Sequence, residues 1–423
     1  MTHPRESWAS RISRRDFLRR SMGAAVAIPG AAALLAACAK SSTTGGGGGG
    51  AAFELARLDN PVELPLFDDN AAIADGLEPE TGATVKVYGY VLYIKPKILR
   101  DFEAEHGCKV EYTTFDTMDE AVAKLRSGDV DFDLFVPAVS ELGKLAAAKI
   151  LRPINLSYIP NLDNVWPSLA DPFYDKGPRY TVPYFVWTTG IAWRNDLVTT
   201  DIRAMDNPYE IFWDPQFKGH VHILNETRDA IALGLIKNGI TDVNTSDPKQ
   251  IDLAKNDLLA LVDAVNPRFD HTDYRDMFAG LAHVHHSWSG NIGFAHYYAP
   301  KPSDIETLSY WWPAAGDSGH PGIVGSDTLG VLSSGKAPVL THMLINELLD
   351  PEVAKDNSAY EGYQNPQSSF DPDQFVAEGI VAANLKDTIT LREDFEKGLR
   401  QLELEPSAAQ MWQRAYQEIS GGV

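Results

Sequence analysis

Two hydrophobic rhythms alternate along the chain from about Val85. In "VKVYGYV" (85–91), β-branched and aromatic residues recur at the two-residue spacing of a strand. "KPKILRDFEAEHG" puts Ile98, Leu99 and Phe102 on one helical face and ends at Gly107, the residue suited to a left-handed C-cap. "CKVEYTTF" alternates again, "MDEAVAKLRSGDV" predicts a short helix stopped at Gly128, "DFDLFVPA" a buried strand and "SELGKLAAAKIL" a further helix. Strand and helix in this succession predict βαβ units and a mainly parallel sheet.

A second series follows. "RYTVPYFVWTTGIAWRND" (179–196) is long, apolar and aromatic, the pattern of a strand that leaves one lobe and enters another. "GHVHILNETRDAIALGLIKNG" predicts strand, loop and helix closed by Gly239, and "DPKQIDLAKNDLLALVDAV" an amphipathic helix. "HVHHSWSGNIGFAHYY" (283–298) and "SDTLGVLSSG" (326–335) read as strands, and "PVLTHMLINELLDPEVAKDNSAYEGYQNP" (338–366) as two helices with Asp350-Pro351 capping the second.

The first 55 residues follow neither rhythm. "SRRDFLRRS" (13–21) carries twin arginines and precedes the uncharged run "MGAAVAIPGAAALLAAC", too short for a comfortable membrane span. This is the layout of an export signal of the twin-arginine type. Leu35-Ala36-Ala37-Cys38 resembles a bacterial lipobox, and a glycine-rich tether follows it. Residues 1–37 are therefore expected to be removed, Cys38 to be lipidated, and residues 38–55 to form a leash holding the exported protein to the outer face of the membrane.

Charge narrows the class. The first 40 residues hold seven Lys/Arg and two Asp/Glu, so the remainder carries 30 against 56, net −26. Such a surface repels nucleic acid and favours cationic ligands. Cys108 is the one cysteine after Cys38, which leaves no internal disulfide. The roughly 370 residues beyond the leash exceed one ordinary core and predict two lobes.

The order of these segments resembles the periplasmic spermidine/putrescine-binding proteins of ABC importers. The stretches that carry the resemblance are Val87–Phe102, "DFDLFVPA", "LDNVWPSLADPFYDKGPRYTVPYFVWTTGIAWRND", "WDPQFKGHVHILNETRDA", "SWSG" and "HMLINELLDPEVAKDNSAYEGYQNP". The resemblance implies an α/β periplasmic-binding-protein fold with two discontinuous lobes, crossover strands acting as hinges near Ile191–Arg194 and Gly322–Gly325, and a ligand cleft between the lobes. The lobes would comprise residues 84–192 with 325–372, and 193–324 with 373–423. It also implies a permease and an ATPase as partners, and no catalysis.

Polyamine recognition needs aromatic faces for methylenes and cations, and carboxylates for ammonium groups. The family's aromatic-Thr-acid-Tyr cluster reads here Tyr90, Val91, Leu92, Tyr93, so the rings stay and the acid is gone. The Ser and Tyr that follow the family's "VP" strand become Ala138 and Ser140. Glu226 and Asp229 occupy the acidic loop of the second lobe, where Arg228 stands ready for a ligand carboxylate. Trp288 and Tyr363 match family rings, and the family's Trp-x-Asp becomes Gly325-Ser326-Asp327. The resemblance thus implies a site of Tyr90, Tyr93, Ser140, Glu226, Asp229, Trp288, Asp327 and Tyr363, for a polyamine or another amine or amino-acid-like solute.

One competing constellation stands apart. His283, His285, His286 and His296 form a histidine-rich stretch, in which His283 and His285 share a strand face. Iron or zinc binding is the alternative they raise. No nucleophile elbow, Walker A motif or dinucleotide fingerprint follows a strand, so no enzyme, cofactor or catalytic residue is expected.

Overall fold

The computed structural model describes residues 54–271, 273–314 and 319–421. The export signal, Cys38 and most of the leash lie outside the described residues. The strands are β1 (Thr84–Tyr90), β2 (Lys109–Phe115), β3 (Leu134–Phe135), β4 (Leu151–Arg152), β5 (Thr181–Arg194), β6 (Val221–Leu224), β7 (Arg268–Asp270), β8 (Val284–Trp288), β9 (Leu308–Trp311) and β10 (Ile323–Leu332). They form one sheet in the order β2-β1-β3-β10-β5-β8-β6-β7, with β4 beside β10 and β9 beside β5.

The sheet explains the lobes. β1, β2 and β3 run parallel at one end, and β6, β7 and β8 run parallel at the other. Between them β5 and β10 pair antiparallel from Gly330↔Thr181 to Ile323↔Thr189, broken by a register shift at Asp327/Thr328. The first half of β5 pairs with β10; beyond Thr188 the strand pairs with β8 and β9. One apolar core gathers Val85, Val87, Phe102, Tyr184, Leu329, Leu344 and Tyr363. A second gathers Ile191, Val221, Leu233, Leu258, Val284 and Trp412, and a third on the same side gathers Ala192, Met277, Ile292, Tyr310 and Phe375.

Local chemistry sets the helices. The helices used below are α1 (Pro96–His106), α2 (Met118–Arg126), α3 (Thr227–Lys237), α4 (Pro248–Val265), α5 (Ser289–Gly293), α6 (Pro338–Leu348), α7 (Pro351–Glu361) and α8 (Pro406–Ser420). α1 buries Ile98 and Phe102 and stops where Gly107 turns left-handed at φ 61°. Asp350 caps α7 by accepting from the amides of Glu352 at 3.0 Å and Val353 at 3.2 Å. Cys108 is a buried free thiol.

The histidine-rich stretch departs from its expected form. Only residues 284–288 of "HVHHSWSGNIGFAHYY" are strand; the chain then coils into α5 and a 3-10 turn over Ala295–Tyr298. The glycines permit the change: a Cβ added at Gly293 would stand 3.0 Å from the Gly362 carbonyl, so a larger residue would push the backbones apart. Residues 56–83, which follow neither rhythm, dress the first lobe: Val62 N–H donates to Phe173 O at 2.8 Å and Asn70 Nδ2 to Leu151 O at 2.8 Å.

Candidate functional site

β1 ends at Tyr90 and the chain turns through Val91 and Leu92 before Tyr93. Leu92 adopts φ 64°, unfavourable for a side chain with a Cβ. It leans on the third apolar core, on the second lobe's side. The turn brings the Tyr90 and Tyr93 rings to 5.1 Å, and Tyr93 to 5.7 Å from Tyr363. The Tyr93 hydroxyl donates to Asp327 Oδ2 at 2.5 Å. The Tyr93 carbonyl accepts from Tyr184 Oη at 2.8 Å and Asn357 Nδ2 at 3.2 Å, so its position is fixed from both ends.

Asp327 sits at the irregularity of the β5–β10 ladder. Burial pushes its carboxyl up to about 6, against the pull of the Tyr93 hydroxyl and the Trp187 indole. Asp229, in the first turn of α3, is likewise pushed by burial to about 6, while Thr189 Oγ1 donates to its Oδ1 at 3.1 Å. The Trp288 indole also bears on Asp229, without a hydrogen bond of normal geometry for its buried Nε1. Glu226, preceding α3, has a sealed Oε1 with no hydrogen-bond partner; burial and then the charge of Asp229 hold its carboxyl well above the usual range. The Tyr90 hydroxyl is raised first by burial, then by the charges of Glu226, Asp327 and Asp229. Tyr90, Tyr93, Glu226, Asp229, Trp288, Asp327 and Tyr363 therefore come together between the lobes.

The two lobes meet around this cluster. Thr227 Oγ1 at the start of α3 donates to Asp119 Oδ2 of α2 at 3.2 Å. Tyr363 Oη donates to Asn291 Oδ1 of α5 at 3.0 Å, and Tyr297 Oη to the Ala359 carbonyl at 2.8 Å. The Tyr363 ring lies flat against Gly290, where a Cβ would come within 2.3 Å of it.

Two expected residues are placed elsewhere. Ser140 lines an adjoining cavity of about 140 Å³ with Ala138, Trp187, Gly325, Tyr174 and Arg400. The small residues at 138, 140 and 325 leave this space open. Arg228 turns away from the cleft. It donates to the Leu402 carbonyl at 2.7 Å and to Asn244 Oδ1 at 2.7 Å, and stacks on Trp412 of α8. It ties α3 to the carboxyl-terminal segment and is not a ligand contact.

Two residues outside the expected set belong with it. Trp187 lies so close that a Cβ at Gly325 would be 2.4 Å from its ring, and its centroid is 6.4 Å from Trp288. The Trp187 indole of β5 thus occupies the space that a side chain at 325 would enter. The signal was in the sequence, as the glycine at 325 and an unassigned tryptophan in "PYFVWTT". Glu361, the last residue of α7, is 3% exposed, and its Oε1 has no hydrogen-bond partner. Burial, then the charge of Asp327, holds its carboxyl well above the usual range. Nothing local marks it, because helix-ending acids are common.

The histidines do not converge as a group of four. The His283 ring stacks on His220 at 4.0 Å, His286 abuts Phe212, and His296 faces the Gly293 carbonyl. His285 meets His222 and Asp270 instead.

Comparison with known proteins agrees with this architecture. The Escherichia coli (strain K12) spermidine/putrescine-binding periplasmic protein is 27% identical over 343 residues, covering 80% of this chain and 92% of that protein. Among solved structures, an ABC transporter protein of Listeria monocytogenes assigned to spermidine/putrescine superposes with a TM-score of 0.68 at 22% identity, covering 80% of this chain and 98% of its own. A lipoprotein of Treponema pallidum gives 0.64 at 19%, covering 79% and 99%. These likenesses establish the two-lobe fold. The family model described as bacterial extracellular solute-binding protein matches residues 97–383, and the chain belongs to that family.

Proposed function

We propose that the protein is the solute receptor of an ABC importer and captures a polyamine of the spermidine/putrescine class. The observation that carries this reading is the meeting of three buried carboxyls, Asp229, Asp327 and Glu361, and the half-buried Glu226 with its sealed Oε1, with the rings of Tyr90, Tyr93, Trp187, Trp288 and Tyr363. Like charges crowded out of water are costly unless a cation joins them. A ligand ammonium between such acids gains charge-assisted hydrogen bonds, and its methylenes lie on the rings. Glu361 takes the part of the acid lost at Leu92, and Trp187 that of the ring lost at Gly325. The names of relatives that bind spermidine, putrescine, agmatine or cadaverine point to the same class.

The test is calorimetry with spermidine and putrescine at two pH values. Binding an ammonium requires the ionised acids. Asp229 and Asp327, raised to about 6 without ligand, must shed protons as the cation enters. Affinity is expected to rise between pH 5 and pH 7.5, with proton release measured across buffers of different ionisation enthalpy. Absence of heat with both amines at either pH refutes the polyamine reading. A second reading, an amino-acid-like solute, is favoured by Arg400 in the cavity beside Trp187; such solutes belong in the same titration.

The anchor is a further expectation. No helix among the described residues is long and apolar enough to cross a membrane. With the lipobox before Cys38 and the glycine tether after it, Cys38→Ser is expected to move the protein from the membrane fraction to the soluble fraction with binding unchanged. Persistence in the membrane fraction counts against lipidation at Cys38.

A further inference from the structure

β7, β6 and β8 are neighbours in the second lobe, and each contributes one side chain to a buried cluster. His222 and His285 are register partners, their imidazoles are fully buried, and their centroids are 5.4 Å apart. His222 Nδ1 lies 3.3 Å from Asp270 Oδ1 and 3.2 Å from Oδ2, and His285 Nε2 lies 3.6 Å from Oδ1. Metal–ligand distances of about 2.0–2.1 Å in a tetrahedral zinc site put ligand atoms roughly 3.3 Å apart. The N···O separations of 3.2–3.6 Å fit ligands of a common ion, and the ligand atoms of all three side chains lie within 4.8 Å of one another.

The tautomer of His285 supports the same conclusion. Its Nδ1 is 2.6 Å from the His286 carbonyl, which only accepts, so Nδ1 carries the proton. In a neutral ring the Nε2 lone pair would then face the Asp270 oxygen 3.6 Å away, an orientation suited to a shared cation. Histidine bound to a metal through one nitrogen while the other donates to a backbone carbonyl is the usual supporting arrangement. The Asp270 side chain is 23% exposed, which gives an ion a way in and leaves room for water as a fourth ligand.

We propose that His222, Asp270 and His285 bind a divalent transition metal of the zinc class, resident in the second lobe. The ion is not the transported solute: all three ligands stand on adjacent strands of one lobe, so its capture does not require the lobes to close. Its place suggests what it steadies. β8 ends in Trp288, and Asp270 is followed by His271, whose ring stacks on Trp288 at 5.3 Å and 6°. An ion joining β7 to β8 fixes the indole wall of the cleft from behind.

The experiment uses the full chain with Cys38→Ser, so that the thiol cannot contribute, stripped with chelator and titrated with Co²⁺ and then Zn²⁺. One equivalent of Co²⁺ is expected to give the visible bands of a four-coordinate site, and Zn²⁺ is expected to displace it and raise Tm. Asp270→Asn and His222→Gln are expected to weaken binding at least about tenfold, whereas His283→Gln with His296→Gln leaves it unchanged. The wild-type titration stands even if a variant misfolds. Absence of Co²⁺ bands in the parent protein, or equal binding by a folded Asp270→Asn, overturns the site; the structural alternative, a His285 imidazolium paired with Asp270, gives the first of these results. Neither outcome bears on polyamine binding.

Discussion

Asp327→Asn is expected to make the ligand-free protein more stable at neutral pH while removing most of its affinity for a cationic ligand. The carboxyl is buried and its pKa is raised from 3.8 to about 6, so the folded state binds a proton more tightly than the unfolded state does. Its contribution is favourable below the ordinary carboxylate value and is lost as pH rises through about 6. A shift of this size corresponds to on the order of 1–3 kcal/mol of stability forgone at pH 7. Asparagine keeps an oxygen for the Tyr93 hydroxyl and removes the charge. Thermal melts at pH 5 and pH 7.5 are expected to show a larger gain for the variant at the higher pH. Calorimetry is expected to show a loss of roughly 1.5–3 kcal/mol in binding, the scale of a hydrogen bond to a charged group. A variant that is no more stable at pH 7.5, yet binds normally, excludes Asp327 from the site.

Gly290→Ala is expected to disable the cleft through the ring of Tyr363, on which Gly290 packs. The added methyl would fall 2.3–2.5 Å from three Tyr363 ring atoms. Tyr363 is 6% exposed and held by Asn291, so it has little room to yield. Overpacking of this kind costs about 1–3 kcal/mol of stability. The displaced ring also withdraws its face from the ligand and from Tyr93, a loss of roughly 0.5–1.5 kcal/mol for the aromatic pair alone. Tyr363→Ala in the same background is expected to restore stability but not affinity. If Gly290→Ala melts and binds as the parent does, the packing of Tyr363 on α5 is wrong.

The elements written in local chemistry were legible before the structure. The alternation of β1 and β2, the stop at Gly107, the length of β5 and the cap at Asp350 each depend on residues adjacent in sequence. What escaped depends on residues far apart. Ser140 matches a ring in the family resemblance, yet the space around it is set by Gly325 and Ala138, and it lines the cavity beside Trp187. Arg228 carries a charge that suits a ligand, but Trp412 and the Leu402 carbonyl, far along the chain, claim it. Glu361 gains meaning only from the buried tyrosines and Asp327 around it. In the histidine stretch His285 stands in β8, whereas His283 falls one residue before the strand begins. The partners of His285 came from β6 and β7, which no pattern within 283–298 could announce.

The unbroken sheet gives the molecule the mechanics of a leaf spring. Because β5 and β10 pair along the span between the lobes, a movement of one lobe against the other would load this ladder as bending and twist. Such a beam has a restoring force and one compliant spot, the register shift at Asp327/Thr328. Asp327, the acid proposed to hold the solute, stands at this irregularity. Pulling on that carboxylate loads the spring, and a docking partner that straightens the beam would loosen the grip in the same movement.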